Sequence, residues 1–126
     1  FLMPVPPERL ACLEELRRDY RLYVLSNTNP FVMDWARSSE FSPAGKPLDA
    51  YFDKLYLSYE MKCMKPAREI FDRMASDAQL IPAETLYIDD SAANAAAGAA
   101  LGYRTLCPES NADWREELRR MIDSIG

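Results

Sequence analysis

A chain of 126 residues that is 48% hydrophobic, with a net charge of -5, has the size and apolar content of one folded domain, not of a disordered segment. The acidic balance leaves no lysine or arginine cluster for nucleic acid: Arg17-Arg18 and Arg119-Arg120 have acidic neighbours within one helical turn and read as solvated helix faces. With no histidine, the chain holds no Ser-His-Asp or Cys-His nucleophile system and no His-ligated zinc, so chemistry falls to carboxylates, lysine, hydroxyls and backbone groups.

The opening stretch, Phe1-Leu2-Met3-Pro4-Val5-Pro6-Pro7, reads as a connection entering a domain from elsewhere, so a fragment or processed product is expected. Pro6 and Pro7 then open a helix through about Asp19, with Leu10, Leu13 and Leu16 on one stripe. Leu22–Leu25 is a short apolar strand, ended by the turn-forming run Ser26-Asn27-Thr28-Asn29-Pro30. A short helix near Phe31–Arg37 follows. Ser38–Leu48, with Pro43, Gly45 and Pro47, is the most loop-like region and a place for a mobile or substrate-facing loop. Leu55–Leu57 reads as the second strand. Lys65-Pro66 introduces a helix with Pro66 at its first position and Ile70, Phe71 and Met74 inward.

Thr85–Ile88 is the third strand, and it runs into the acidic pair Asp89-Asp90. Ala92–Leu101 is a helix whose alanines allow close approach to a sheet, closed by Gly102. Arg104–Cys107 makes a fourth strand. Asp113–Ile125 is a closing helix with Trp114, Leu118, Met121 and Ile125 inward. Strands alternating with helices predict an α/β fold: a Rossmann-like parallel sheet of about four strands with helices on both faces. Cys12, Cys63 and Cys107 lack C-x-x-C spacing and suit a reducing compartment, so a cytoplasmic protein is expected. No apolar run approaches a membrane span.

Three strand or loop ends carry polar groups: Ser26 with Asn27, Lys65, and Asp89 with Asp90. Singly, Ser26 fits a turn residue, Lys65 a solvated cation and Asp90-Ser91 a helix N-cap. Two adjacent carboxylates repel, and what offsets them (a cation, a metal, a shared proton or solvent) decides their role. In combination they are the parts of a metal-assisted phosphoryl-transfer site. A hydroxyl with nearby N–H groups holds phosphoryl oxygens, a lysine supplies charge, and paired carboxylates suit magnesium.

The ordered trio resembles the haloacid dehalogenase superfamily in its phosphatase branch. The family's strand ending in Ser or Thr is matched by Tyr23-Val24-Leu25-Ser26-Asn27-Thr28-Asn29. Its Lys-Pro before a helix is matched by Met64-Lys65-Pro66-Ala67-Arg68. Its strand ending in an acidic pair, then Asn, small residues and Gly, is matched by Tyr87-Ile88-Asp89-Asp90-Ser91, Asn94 and Ala99-Ala100-Leu101-Gly102. The agreement runs from about Leu10 to Cys107. The Ser26 and Tyr56-Leu57-Ser58 segments are most similar to sugar-phosphate phosphatases with a small helical cap, of the glucose-1-phosphate phosphatase type.

The resemblance implies a magnesium-dependent hydrolase that cleaves phosphate monoesters of small metabolites, sugar phosphates among them, through an aspartyl-phosphate intermediate. Ser26 and Asn27 would bind the transferring phosphoryl group, and Lys65 would neutralise it and steady the nucleophile. Asp90 would be the direct Mg2+ ligand, with Asp89 in a direct or water-mediated role. The family's first motif, a strand ending Asp-x-Asp that carries the nucleophile, occurs nowhere in this sequence. Residues 1–126 therefore read as a partial core domain holding the second, third and fourth motifs, without the central nucleophile strand and the cap. Its open sheet edge is expected to be filled by the missing N-terminal segment, by a second chain, or by the flanking strands closing on each other. The chain alone is expected to be inactive. The alternative is a non-enzymatic module that binds phosphate or a partner. A receiver-like domain uses similar parts, but there the acidic pair comes first.

Overall fold

The structure is a computed structural model that describes residues 7–109 and 113–125, the last two by backbone alone. The opening 1–6 stretch and the inward side chain expected at Ile125 lie outside the described residues. The chain divides into two compact units, one ending at Met64 and the other beginning at Lys65.

In the first unit, Pro7 starts α1 (Pro7–Leu16) where a missing N–H costs nothing, and Leu10 and Cys12 are buried. The helix ends before the expected Asp19 because the polar run that follows tightens: the N–H groups of Arg18 and Asp19 donate three residues back, to Glu15 and Leu16. β1 (Tyr23–Ser26) pairs in parallel with β2 (Lys54–Leu57), from Tyr23 opposite Lys54 to Ser26 opposite Leu57. Asp53 staples the start of this pair. Its carboxylate accepts from the Leu22 N–H at 2.7 Å and from Arg17 at 3.3 Å, and its own N–H donates to the Leu22 carbonyl at 2.7 Å.

α2 (Pro30–Ala36) has Pro30 at its first turn and Asn29 as N-cap, the Asn29 side chain accepting from the Val32 N–H at 3.0 Å. Leu10, Met33, Ala36, Phe41, Tyr51 and Leu57 form the core of this unit. The segment expected as a loop is irregular, but it is tethered. Phe41 is buried edge-on against Trp35, 5.6 Å between ring centres, and the Ser42 hydroxyl exchanges hydrogen bonds with the Lys46 N–H and carbonyl. Two short elements of this unit have no counterpart in the sequence reading: a 3-10 turn at Leu48–Tyr51, and α3 (Ser58–Met61), one turn following β2 directly.

In the second unit the Lys65–Pro66 peptide is cis. Ala67 is extended, so α4 (Arg68–Ala78) begins at Arg68 and not at Pro66 as expected. The helix buries Ile70, Phe71 and Met74, the three residues expected inward. A 3-10 turn at Pro82–Glu84 leads into β3 (Leu86–Ile88), which pairs in parallel with β4 (Arg104–Leu106). The four expected strands are therefore present, each within one residue of its expected bounds, as two parallel pairs, one in each unit.

α5 (Ala92–Ala100) carries the alanine run, capped by the Ser91 hydroxyl, which accepts from the Asn94 N–H at 3.3 Å. Gly102, with φ of +95°, lets the chain leave the helix as expected. Gly98 is the close-approach position: a Cβ there would stand 2.7 Å from Tyr87 Cδ2. The rings of Phe71, Tyr87 and Tyr103 form an aromatic cluster, with Phe71 edge-on to Tyr87 at 5.4 Å. α6 (Arg115–Ile125) starts two residues later than expected, because Asp113 stays outside and accepts from the Arg115 N–H and guanidinium. Leu118 is buried and Trp114 and Met121 are half-buried.

Candidate functional site

The carboxyl ends of β1 and β3 carry Ser26 with Asn27 and Asp89 with Asp90, as open α/β sheets place their ligand-binding groups, while Lys65 stands in the turn before α4. Within the first unit, Ser26 is the half-buried last residue of β1 and Asn27 is exposed just beyond it. The chain after them is held by Ser58, whose hydroxyl accepts from the Thr28 N–H at 3.0 Å and donates to the Thr28 carbonyl at 3.2 Å. Ser58 follows Leu57, the register partner of Ser26, so it continues the strand pairing with a side chain. Asn29 then caps α2.

Within the second unit, the period-two alternation of a strand separates the acidic pair. Tyr87 and Asp89 share the buried face, while Ile88 and Asp90 share the exposed one. The two carboxylates are therefore not equivalent. Asp89 Oδ2 accepts from Lys65 Nζ at 2.7 Å, from the Tyr87 hydroxyl at 2.5 Å and from Asn94 Nδ2 at 3.3 Å. Its Oδ1 accepts from the Ser91 N–H at 2.9 Å. The Asp89 N–H donates to the Leu106 carbonyl, which fixes the backbone at the end of β3. The Lys65 and Asp89 side chains are 10% and 6% exposed, so this is a buried ion pair.

The structure thus brings Lys65 onto Asp89, with Asp90 exposed to solvent at the next position. Sequence reasoning missed Tyr87 and Ser58. The signal for Tyr87 was its place two residues before Asp89 on the same strand face, and for Ser58 its place just past the residue that pairs with Ser26.

Burial pushes the Asp89 carboxyl upward. The hydrogen bonds from Lys65, Tyr87 and the Ser91 N–H, together with the Lys65 charge, outweigh it and hold the group below its ordinary value. Burial pushes the Tyr87 phenol far above its ordinary value, and the bond to Asp89 and the charges of Asp89 and Asp90 push it further. Tyr87 is therefore a permanent donor.

A carboxyl whose folded value is depressed contributes stability that is present above its unfolded value, near about 4, and is lost as pH falls through the folded one. Urea unfolding of the metal-free chain should show a midpoint that declines as pH drops below about 4. The Asp89→Asn variant should be less stable at neutral pH and show a shallower acid decline. Equal acid slopes in the two proteins would remove Asp89 from the account.

The donor set at the end of β3 suits a hard cation: two neighbouring carboxylates, one exposed, the other with one hydrogen bond on Oδ1 among the described residues. Among those residues no cluster of three or more His, Cys, Asp or Glu side chains forms. A magnesium ion here would complete its shell with water and with other groups. No helix among the described residues is long and apolar enough to cross a membrane.

The sequence matches the haloacid dehalogenase-like hydrolase family over residues 3–102. It is 52% identical over 124 residues to D-ribitol-5-phosphate phosphatase of Bacteroides thetaiotaomicron, covering 98% of this chain and 60% of that protein. The structure resembles a predicted HAD-like family hydrolase from Porphyromonas gingivalis, with a TM-score of 0.93 and 43% identity over 97% of this chain and 60% of the other. It also resembles a HAD family enzyme from Bacteroides thetaiotaomicron, solved as the wild-type protein in complex with magnesium and inorganic phosphate. There the TM-score is 0.85 and the identity 39%, over 94% of this chain and 60% of the other. The chain thus spans about 60% of the length of these relatives. The parallel α/β pairs, the Lys65–Asp89 arrangement at a strand end and these similarities agree: the chain belongs to the haloacid dehalogenase-like hydrolase family.

Proposed function

We propose that this chain is the part of a magnesium-dependent phosphomonoesterase that receives and neutralises the transferring phosphoryl group. The observation that carries the reading is the buried Lys65 ammonium held on Asp89, beside the exposed carboxylate of Asp90. In the first unit, Ser26 and Asn27 donate hydrogen bonds to phosphoryl oxygens. In the second, Lys65 supplies positive charge for a phosphoryl group, and Asp89 keeps that lysine in position. Asp90 would hold magnesium directly, and Asp89 would contribute directly or across a water. When bound, the ion offsets charge that builds on the phosphoryl oxygens.

The nucleophile is an aspartate outside these residues, since no Asp-x-Asp occurs among them. Its carboxylate attacks phosphorus, the ester P–O bond breaks, the leaving alkoxide takes a proton from a general acid also outside these residues, and water then cleaves the aspartyl phosphate to inorganic phosphate and the free carboxylate. The strand that bears it, or a second chain, pairs with the open sheet edge. The relative that acts on D-ribitol 5-phosphate supports a small polyol or sugar phosphate as substrate. The cysteine pattern supports a cytoplasmic setting.

The test is phosphate release from a panel of polyol and sugar phosphates, with magnesium or with chelator, by the full-length protein and by the isolated 126-residue chain. Release is expected from the full-length protein with magnesium only, and none from the isolated chain. Turnover by the isolated chain would put the nucleophile among these residues. Silence from both would favour a module that binds phosphate or a partner without chemistry.

A further inference from the structure

Tyr87 is the buried group beside the acidic pair to which the phosphatase reading gives no role. Its hydroxyl donates to Asp89 Oδ2 at 2.5 Å. Lys65 Nζ, which donates to the same oxygen, lies 6.0 Å from the centre of the Tyr87 ring. The ring is fixed by two neighbours. Phe71 meets it edge-on at 5.4 Å, and the α5 backbone approaches so closely at Gly98 that a Cβ would stand 2.7 Å from Tyr87 Cδ2.

A phenylalanine would fill nearly the same volume, so packing alone does not call for the hydroxyl. Without that hydroxyl, Asp89 Oδ2 keeps only the flexible lysine and the longer Asn94 contact at 3.3 Å, with the Ser91 N–H on the other oxygen, so the carboxylate can turn about that bond and Lys65 moves with it. The tyrosine hydroxyl sits on a stiff ring with two side-chain torsions, and it fixes the oxygen that Lys65 also uses. We infer that Tyr87 is a positioning residue: by holding Asp89 Oδ2 it sets where Lys65 presents its charge, and Gly98 is small so that the ring can reach that place. The inference rests on the phosphatase reading for what the lysine charge does, but not for the chain of contacts from Gly98 through Tyr87 and Asp89 to Lys65.

Two variants of the full-length protein test it. Tyr87→Phe keeps the ring and removes only the hydroxyl. Tyr103→Phe removes a hydroxyl from the same aromatic cluster, one that has no hydrogen-bond partner among the described residues. For a phosphate ester, Tyr87→Phe should lower kcat about five- to tenfold with KM changed less than about twofold, while Tyr103→Phe stays at wild type. Nitrogen-15 NMR of the lysine ammonium groups gives a readout independent of turnover. The slowly exchanging Lys65 signal expected of a buried ion pair should be present in the wild type and Tyr103→Phe and broadened away in Tyr87→Phe.

A Lys65 signal and a kcat both unchanged by Tyr87→Phe would overturn the inference, as would equal losses in both variants. If the wild type hydrolyses no ester yet Tyr87→Phe still loses the Lys65 signal, the positioning role stands and the phosphatase reading fails.

Discussion

Replacing Lys65 by methionine should lower kcat/KM of the full-length protein about a thousandfold, the upper range for removal of one charge-stabilising donor. It should also destabilise the second unit by about 3 kcal/mol, the low end for breaking a buried ion pair. The double effect follows from where the lysine sits. Its ammonium is 2.7 Å from Asp89, and both side chains are almost wholly withdrawn from water. Methionine fills the space of the stem but leaves the carboxylate without its cation. Tyr87, Asn94 and the Ser91 N–H still donate to Asp89, which keeps the cost at the lower end. Chemical denaturation measures the stability term and a phosphate-release assay the catalytic one. A Lys65→Met protein that is inactive yet as stable as wild type would show that the pair is not buried in solution.

Asp90→Asn should separate the two effects. The adjacent carboxylate is exposed, two residues past the end of β3, so neutralising it should change stability by less than about 0.5 kcal/mol, as for surface substitutions generally. Activity should nevertheless fall about a hundredfold or more, and the magnesium concentration giving half-maximal rate should rise. An amide keeps one oxygen donor but loses the charge that a hard cation prefers. Titration of the rate with magnesium distinguishes a weakened ion site from a folding defect, because only the former is partly rescued by more metal. Unaltered magnesium dependence would remove Asp90 as a ligand.

The contrast between these neighbours was legible in the chain and went unread. Tyr87-Ile88-Asp89-Asp90 reads as an apolar run into a charged pair, and only the family resemblance separates the two acids, Asp90 as direct ligand and Asp89 as direct or water-mediated. Strand alternation alone assigns Tyr87 and Asp89 to one face and Ile88 and Asp90 to the other, and the structure buries the first set. The first three strands are readable because each ends a short apolar run at turn formers or charge, and α5 because its alanine-rich run, interrupted at Asn94 and Gly98, is closed by Gly102. The single turn α3 was not, since four residues, Ser58-Tyr59-Glu60-Met61, carry no periodicity to detect. The start of α4 was misplaced for a different reason. Proline suits a first helical turn, but nothing in Lys65-Pro66-Ala67 says that Pro66 lies in a turn and Ala67 is extended before the first helical residue. The anchoring of the irregular 38–48 segment depends on Phe41 meeting Trp35 and Tyr51, contacts between residues that no local pattern links.

The hydroxyl of Ser58 occupies both the N–H and the carbonyl of Thr28, the ladder holds Ser26, and Asn29 is committed to capping α2. The backbone around Ser26 and Asn27 is thus ordered before any ligand arrives. An anion meeting it need not spend part of its interaction free energy on freezing a loop. Association there should carry the thermodynamic signature of rigid-body docking, a small heat-capacity change and a rate set by encounter instead of by local folding.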